Sequence, residues 1–295
     1  MQIVSSRPLG GKTAVAVALA LGLSRAGTRV QLVRTGSGDA AEQDAATFNT
    51  YTFAGTPGLP LPAEQIAAGD DVTIVETDAG AEPLAAPAML VVRGKPDESD
   101  VMLGRSLGPR LIGTIATDVV PAQVEAVAGA LNDAGLRPLA ILPEDRALAA
   151  PSVGEIRDAL KADVLYEGEN ELETVSDVLI APVYADPARP HFRRFAAAAV
   201  LAPYNKTDLH LVAIETQAKC LVITGDGKPS PYVLDRARGE PTTVLLSRTE
   251  TPETVASLSE VWLRSRFRGA AKAEAAAALL EDRFDFAAFV RRLGV

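Results

Sequence analysis

Short apolar runs alternate with longer amphipathic or small-residue stretches along most of the chain. Residues 2–5, 29–33, 72–75, 89–93, 111–116 and 137–142 are apolar runs, several rich in Val and Ile, of the kind that buried parallel strands show. Residues 14–23 form an Ala/Val/Leu stretch that reads as a helix, closed by a basic last turn at Arg25 and by Gly27. Residues 39–53 can form a helix with Asp39, Glu42 and Asp44 on a wet face. Residues 122–133 form another helix, with Pro121 in its first turn and Gly135 beyond its end. Ser152 and Glu155 make a capping box for a helix running to residue 160. The alternation resumes after an acidic, glycine-bearing stretch at 167–173. Strands are expected at 177–180, 196–201, 219–223 and 242–246. Helices are expected at 208–217, capped by Asn205 or Thr207, at 230–238, and from Thr251, with Pro252 opening it. Residues 267–295 read as helical, with high propensity at 270–280, and are free to pack on a neighbour or a second subunit. Strands alternating with helices predict an α/β chain: a mostly parallel sheet with helices on both faces, followed by a smaller α/β domain. The boundary is expected at 168/169.

The densest chemistry lies at the first strand–helix junction, Ser6-Arg7-Pro8-Leu9-Gly10-Gly11-Lys12-Thr13. Strand, glycine-bearing loop, Lys-Thr and helix is the layout of a phosphate-binding P-loop. A helix N-terminus offers unpaired N–H groups and a partial positive charge, and so accepts a phosphate. Gly10 and Gly11 let the backbone close around the anion, Lys12 would bridge the outer phosphates, and the Thr13 hydroxyl would sit on Mg²⁺. Ser6 stands where the full pattern has its first glycine. The alternative is a Gly-Gly turn before an ordinary helix, with Lys12 and Thr13 solvated; the flanking strand and apolar helix favour the phosphate site.

Two later strand ends add candidates. Arg34 ends the second run, where parallel sheets bind ligands, and is a candidate contact for an anionic ligand or a solvated loop arginine. Glu76 ends the third run and is the first choice for the acid on the far side of a P-loop Mg²⁺, with Asp78 second. The alternative is a strand-end acid capping the next turn.

Composition narrows the function. Among 295 residues, 29 Lys and Arg stand against 38 Asp and Glu, a net charge of −9 that argues against a nucleic-acid or anionic-membrane surface. The single cysteine, Cys220, excludes an internal disulfide and fits a reducing cytoplasm. Two histidines and one cysteine argue against a zinc site of the usual ligands. His191 and His210 lack a nucleophile in an activating context and read as structural, and Cys220 as a buried, inert thiol. The apolar run at 14–23 is shorter than the ~20 residues a membrane span needs and lacks the features of a signal peptide.

Residues 1–168 resemble the dethiobiotin synthetase-like branch of P-loop proteins, through the Ser6–Thr13 loop, Arg34 where that branch usually has lysine, and the run ending in Glu76. They are more similar to the version found at the N-terminus of long bacterial phosphate acetyltransferases, where a loop lacking the first glycine is ordinary. Ile141-Leu142-Pro143-Glu144-Asp145-Arg146 and Ala150-Pro151-Ser152-Val153 also look like that family. Residues 169–295 resemble the DRTGG domain, with Asn205-Lys206-Thr207-Asp208 for its Asp-Arg-x-Asp and Thr224-Gly225 within its Thr-Gly-Gly segment. Asn205-Lys206 departs from Asp-Arg and lacks the fork of a guanidinium.

The resemblance implies a nucleotide-binding regulatory module: ATP and Mg²⁺ at Ser6, Gly10, Gly11, Lys12, Thr13 and Glu76, a sensing role for Asn205, Lys206, Asp208, Thr224 and Gly225, a homodimer, and a protein partner in acyl or acetate metabolism. No counterpart of the acetyl-transferring domain lies within these residues, so no acetyl transfer is expected of them. Two alternatives are an ATP-dependent ligase, with Lys12 on phosphate and Arg34 on an acid substrate, and a structural protein with a vestigial P-loop.

Overall fold

The computed structural model describes residues 1–51, 53, 56–66, 72–168, 172–181, 185–195 and 198–293. In chain order, β1 (Gln2–Val4) leads to α1 (Lys12–Arg25), β2 (Val30–Arg34), α2 (Asp39–Asn49), β3 (Val72–Glu76), β4 (Ala88–Arg93), α3 (Glu98–Leu107), β5 (Leu111–Val119), α4 (Val124–Asp133) and β6 (Pro138–Pro143). Next come α5 (Arg146–Ala149), α6 (Val153–Leu160), β7 (Asp163–Tyr166), β8 (Asp177–Ile180), α7 (Ala185–Arg193), β9 (Ala198–Pro203), α8 (Thr207–Glu215), β10 (Cys220–Thr224), α9 (Pro231–Ala237), β11 (Thr243–Ser247), α10 (Thr251–Ser259) and α11 (Val261–Arg264). The last two helices are α12 (Ala270–Glu281) and α13 (Phe286–Leu293).

The chain divides into two compact units, Met1–Asp145 with Phe267–Val295, and Arg146–Arg266. This corrects the expected division. The boundary falls at 145/146 rather than 168/169, and the C-terminal helices join the first unit. The reason is packing that no local pattern encodes. Small side chains on α1 and on α12, where Ala273, Ala276 and Ala277 are buried, let the two helices pack together. Arg25 at the end of α1 pairs with Glu274 and Glu281 of α12, each at 2.6 Å.

In the first unit the described strands form a sheet of order β2-β3-β1-β4-β5-β6, parallel throughout. Alternate side chains on each strand face opposite layers. Val4, Leu90, Val92 and Ala116 pack with Leu107 of α3 and with Val127 and Leu131 of α4. α1 packs against β1, β2, β3 and α12, so it is apolar on nearly all sides, as a helix buried between layers must be. The helix α3 lies in a stretch given no element by the sequence reading. Asp97 and Asp100 cap it reciprocally, a cue that acidic residues alone disguise.

The second unit holds a sheet of order β7-β11-β10-β9-β8, parallel except for the antiparallel edge strand β7. One face buries Val200, Leu221, Ile223 and Val244 with Phe192 of α7, Leu209 of α8 and Val233 of α9. The other buries Leu201, Cys220, Val222 and Leu245 with Ile156 of α6 and Leu258 of α10. The expected strand at 196–201 begins on residues 196–197, outside the described residues; its remainder is β9. The expected cap of α8 differs: Lys206 holds the N-cap position and no side chain caps the helix.

Candidate functional site

The first site is built where β1, β2 and β3 deliver their C-terminal ends. β1 lies between β3 and β4 and its C-terminal end feeds the loop; ligands of parallel sheets bind at such strand ends. The loop from Ser5 to Gly11 crosses this edge and feeds α1. Gly11 holds the N-cap position of α1 with φ 85°, a left-handed conformation that favours glycine, and no side chain caps the helix. The Thr117 side chain of β5 stands against it, and the Thr117 hydroxyl donates to the Gly10 carbonyl at 2.8 Å. The uncapped first turn keeps its N–H groups available for an anion.

The Lys12 side chain folds back along the loop, is buried, and donates from Nζ to Ser5 Oγ at 2.9 Å. Burial lowers the pKa of its ammonium, while Glu76 opposes that shift. The Thr13 hydroxyl donates to Glu76 Oε1 at 3.1 Å. Glu76 is 3% exposed, and its second oxygen, Oε2, is buried without a hydrogen-bond partner. Burial, reinforced by Asp44, pushes the Glu76 carboxyl up to about 7, against the pull of Arg34, Lys12 and the Thr13 hydroxyl. The structure thus brings Lys12, Thr13 and Glu76 together.

Arg34 behaves otherwise than expected. It is 4% exposed, and its guanidinium is engaged inside the protein. Nε pairs with Asp44 at 3.2 Å, one terminal nitrogen with Asp78 at 2.6 Å, and the other donates to the carbonyls of Thr35 and Glu76. It clamps the ends of β2 and β3 rather than presenting a free cation to an anionic substrate. Asp44 is partly buried and pairs with Arg34 instead of standing free on a wet helix face, and Asp78 binds Arg34 as well.

A Mg²⁺ ion fits this donor set. Magnesium is held by one or two protein oxygens with substrate phosphates and water completing its shell. The hydroxyl of Thr13 and the unpartnered Glu76 Oε2 supply that number. Among the described residues no cluster of three or more His, Cys, Asp or Glu side chains could hold a metal on its own, so such an ion would depend on a bound phosphate.

The second site lies at the C-terminal edge of the other sheet. Pro203 and Thr224 are register partners on parallel β9 and β10, so the segment that carries Asn205, Lys206 and Asp208 leaves the sheet at the same edge as Thr224 and Gly225. Tyr204 N–H donates to the Thr224 carbonyl at 2.9 Å, and Gly225 N–H to the Thr249 carbonyl at 2.8 Å. Gly225 has φ 95°, and the Tyr204 ring occupies the space its Cβ would need. The sequence reading missed Tyr204 and a chain of hydroxyls behind it: Thr224 to Thr251 at 2.7 Å, and Thr254 to Thr249 at 2.8 Å and to Ser247 at 3.2 Å. Two cavities of this unit, about 110 and 310 Å³, are lined by residues such as Thr243 and Asp177 at the starts of β11 and β8, not by these groups.

His210 is buried and its Nε2 lies 2.9 Å from the Pro203 carbonyl. His191 packs edge-on against Phe195. Burial pushes the Cys220 thiol up to about 12. Among the described residues no helix is long and apolar enough to cross a membrane.

Residues 155–261 match the DRTGG domain family. The second unit carries a DRTGG domain. The match begins before, and ends before, the 169–295 span expected for it, and it lies wholly within Arg146–Arg266. Among solved structures, the CBS and DRTGG domains of the regulatory region of Clostridium perfringens pyrophosphatase, complexed with its activator diadenosine tetraphosphate, are similar at 16% identity, covering 49% of this chain and 71% of that one, with a TM-score of 0.34. The MinC:MinD cell division protein complex of Aquifex aeolicus is similar at 16% identity over 50% of this chain and 82% of that one, with a TM-score of 0.36.

Proposed function

We infer that the chain is a nucleotide-binding regulatory protein of the cytoplasm. The first unit takes ATP with Mg²⁺ on the loop and first turn of α1, and the DRTGG domain relays the bound state to a homodimer or to a protein partner. The sequence motifs that resemble the N-terminal region of long phosphate acetyltransferases support a partner in acyl or acetate metabolism.

One observation carries the reading: the buried, unpartnered Glu76 Oε2 beside Thr13 and Lys12 at an uncapped helix start. Leaving a carboxylate oxygen buried and unpaired is costly, and a bound cation would relieve the cost. A P-loop kept only for its shape gives no reason to retain that arrangement. Lys12 would hold the outer phosphates, and Thr13 and Glu76 the ion, whose chemistry there is to neutralise phosphate charge. An acid-consuming ligase is less well supported, because the Arg34 guanidinium expected to hold the acid is engaged by Asp44 and Asp78.

Amide hydrogen exchange on the full chain tests both halves of this reading. Adding MgATP should slow exchange at residues 5–13 and change it at 204–208 and 224–230, and Lys12→Ala should abolish both effects. Protection of the loop with no change in the DRTGG domain would overturn the relay. No protection at all would overturn nucleotide binding.

A further inference from the structure

Ser6 stands where the P-loop pattern has glycine, and the structure gives it a partner. Its hydroxyl donates to Asp100 Oδ1 at 2.5 Å. Asp100 is 1% exposed and sits in the first turn of α3, where its Oδ2 accepts from Asp97 N–H at 3.1 Å. Arg7 covers the pair, reaching Asp100 at 3.3 Å and Asp97 at 3.1 Å. Ser6 is not among the residues with positive φ, so the freedom of a glycine is not needed at this position. The start of the loop is also held by the Ser5 hydroxyl on the Arg7 carbonyl at 2.7 Å, and its other end by the Thr117 hydroxyl on the Gly10 carbonyl at 2.8 Å. Between these anchors only the tip, Arg7 to Leu9, is exposed.

We propose that the Ser6–Asp100 hydrogen bond is a positioning device that fixes the phosphate loop in its binding conformation, with Asp100 the positioning residue. This rests on the nucleotide reading above. A hydrogen bond from a hydroxyl to a buried carboxylate is charge-assisted and short, the stronger kind. It ties the start of the loop to the N-terminus of α3, an element with no other part in the site. Ordering the loop before the ligand arrives removes part of the entropy cost of binding. Ser6 is then a replacement for glycine that carries a function, not a sign of decay. Restoring the consensus glycine should weaken the site.

The test uses Ser6→Gly, Ser6→Thr and Asp100→Asn in the full chain, with MgATP affinity measured by calorimetry and loop amide exchange measured without nucleotide. Ser6→Gly should weaken MgATP by about tenfold, the size expected for one charge-assisted hydrogen bond, and should speed exchange at residues 5–13. Ser6→Thr keeps the hydroxyl and should stay within about threefold of the parent chain. Asp100→Asn should resemble Ser6→Gly. Because Ser6→Gly leaves the α3 cap intact, it stays interpretable even where Asp100→Asn fails to fold. Ser6→Gly that binds MgATP as tightly as the parent, or tighter, with unchanged loop exchange, overturns the proposal. A parent chain that binds no MgATP overturns the nucleotide reading, and the exchange comparison then decides the anchor by itself.

Discussion

The Glu76→Gln variant separates a carboxylate held ready for a cation from one that merely completes an ion-pair network. Glu76 holds its proton more tightly in the folded chain, up to about 7 from an ordinary value of 4.5, chiefly because it is buried. A raised folded value stabilises the protein below the unfolded value, and that contribution is lost as pH rises through about 7. At pH 8 the ionised, half-satisfied carboxylate therefore costs on the order of a few kcal/mol, at about 1.4 kcal/mol for each tenfold change in proton affinity. Glutamine keeps the Thr13 contact without the charge. Its own unmatched N–H groups take back part of the gain, leaving about 1–2 kcal/mol. For a unit of this size that is roughly 2–8 °C in Tm. Thermal unfolding without metal, from pH 5 to 8.5, should show Glu76→Gln more stable than the parent at pH 8 and the difference shrinking toward pH 5. The same variant should lose the extra stabilisation that Mg²⁺ adds to ATP. A variant less stable than the parent at pH 8 would refute the reasoning and make Glu76 a structural counter-ion of Lys12 and Arg34.

Three further outcomes follow from the packing and the charges. Arg34→Ala strips the partner from Asp44 and Asp78 beside Glu76 and should destabilise the first unit by roughly 2–4 kcal/mol in urea unfolding, the range for breaking a partly buried pair; a loss under 1 kcal/mol would remove its role as a clamp. Gly22→Ala places a Cβ against the Phe286 ring, so overpacking of about 1–3 kcal/mol should expose residues 267–293 to limited proteolysis; unchanged cleavage would contradict the docking of α13 on α1. Cys220, with its thiol near 12 and wholly buried, should resist alkylation at pH 8 until denaturant unfolds the second unit; rapid labelling of the native chain would contradict that burial.

Much of the fold was legible in the sequence because buried parallel strands announce themselves as apolar runs, and β1, β2, β3 and β10 fall within a residue or two of where those runs lie. The Gly10-Gly11-Lys12-Thr13 loop stood out because strand, glycine pair, Lys-Thr and helix follow one another in a fixed order. What stayed hidden was relational. Asp44 and Asp100 look like surface acids until the fold sets Arg34 and Ser6 beside them. β7 is an edge strand whose residues are all at least partly exposed, so it lacks a buried strand's pattern. Pro190 concealed α7. The Ala-rich C-terminal helix has a propensity but no address, and only α1 supplies one.

The central claim is that the loop before α1 is a working nucleotide site, and calorimetric titration of the full chain with ATP and Mg²⁺, beside Lys12→Ala, tests it most directly. The account predicts micromolar binding, about −8 kcal/mol, that the variant loses while it stays folded at the assay temperature. Absence of binding by the parent chain, for ATP, GTP and ADP alike, or equal binding by Lys12→Ala, would contradict it.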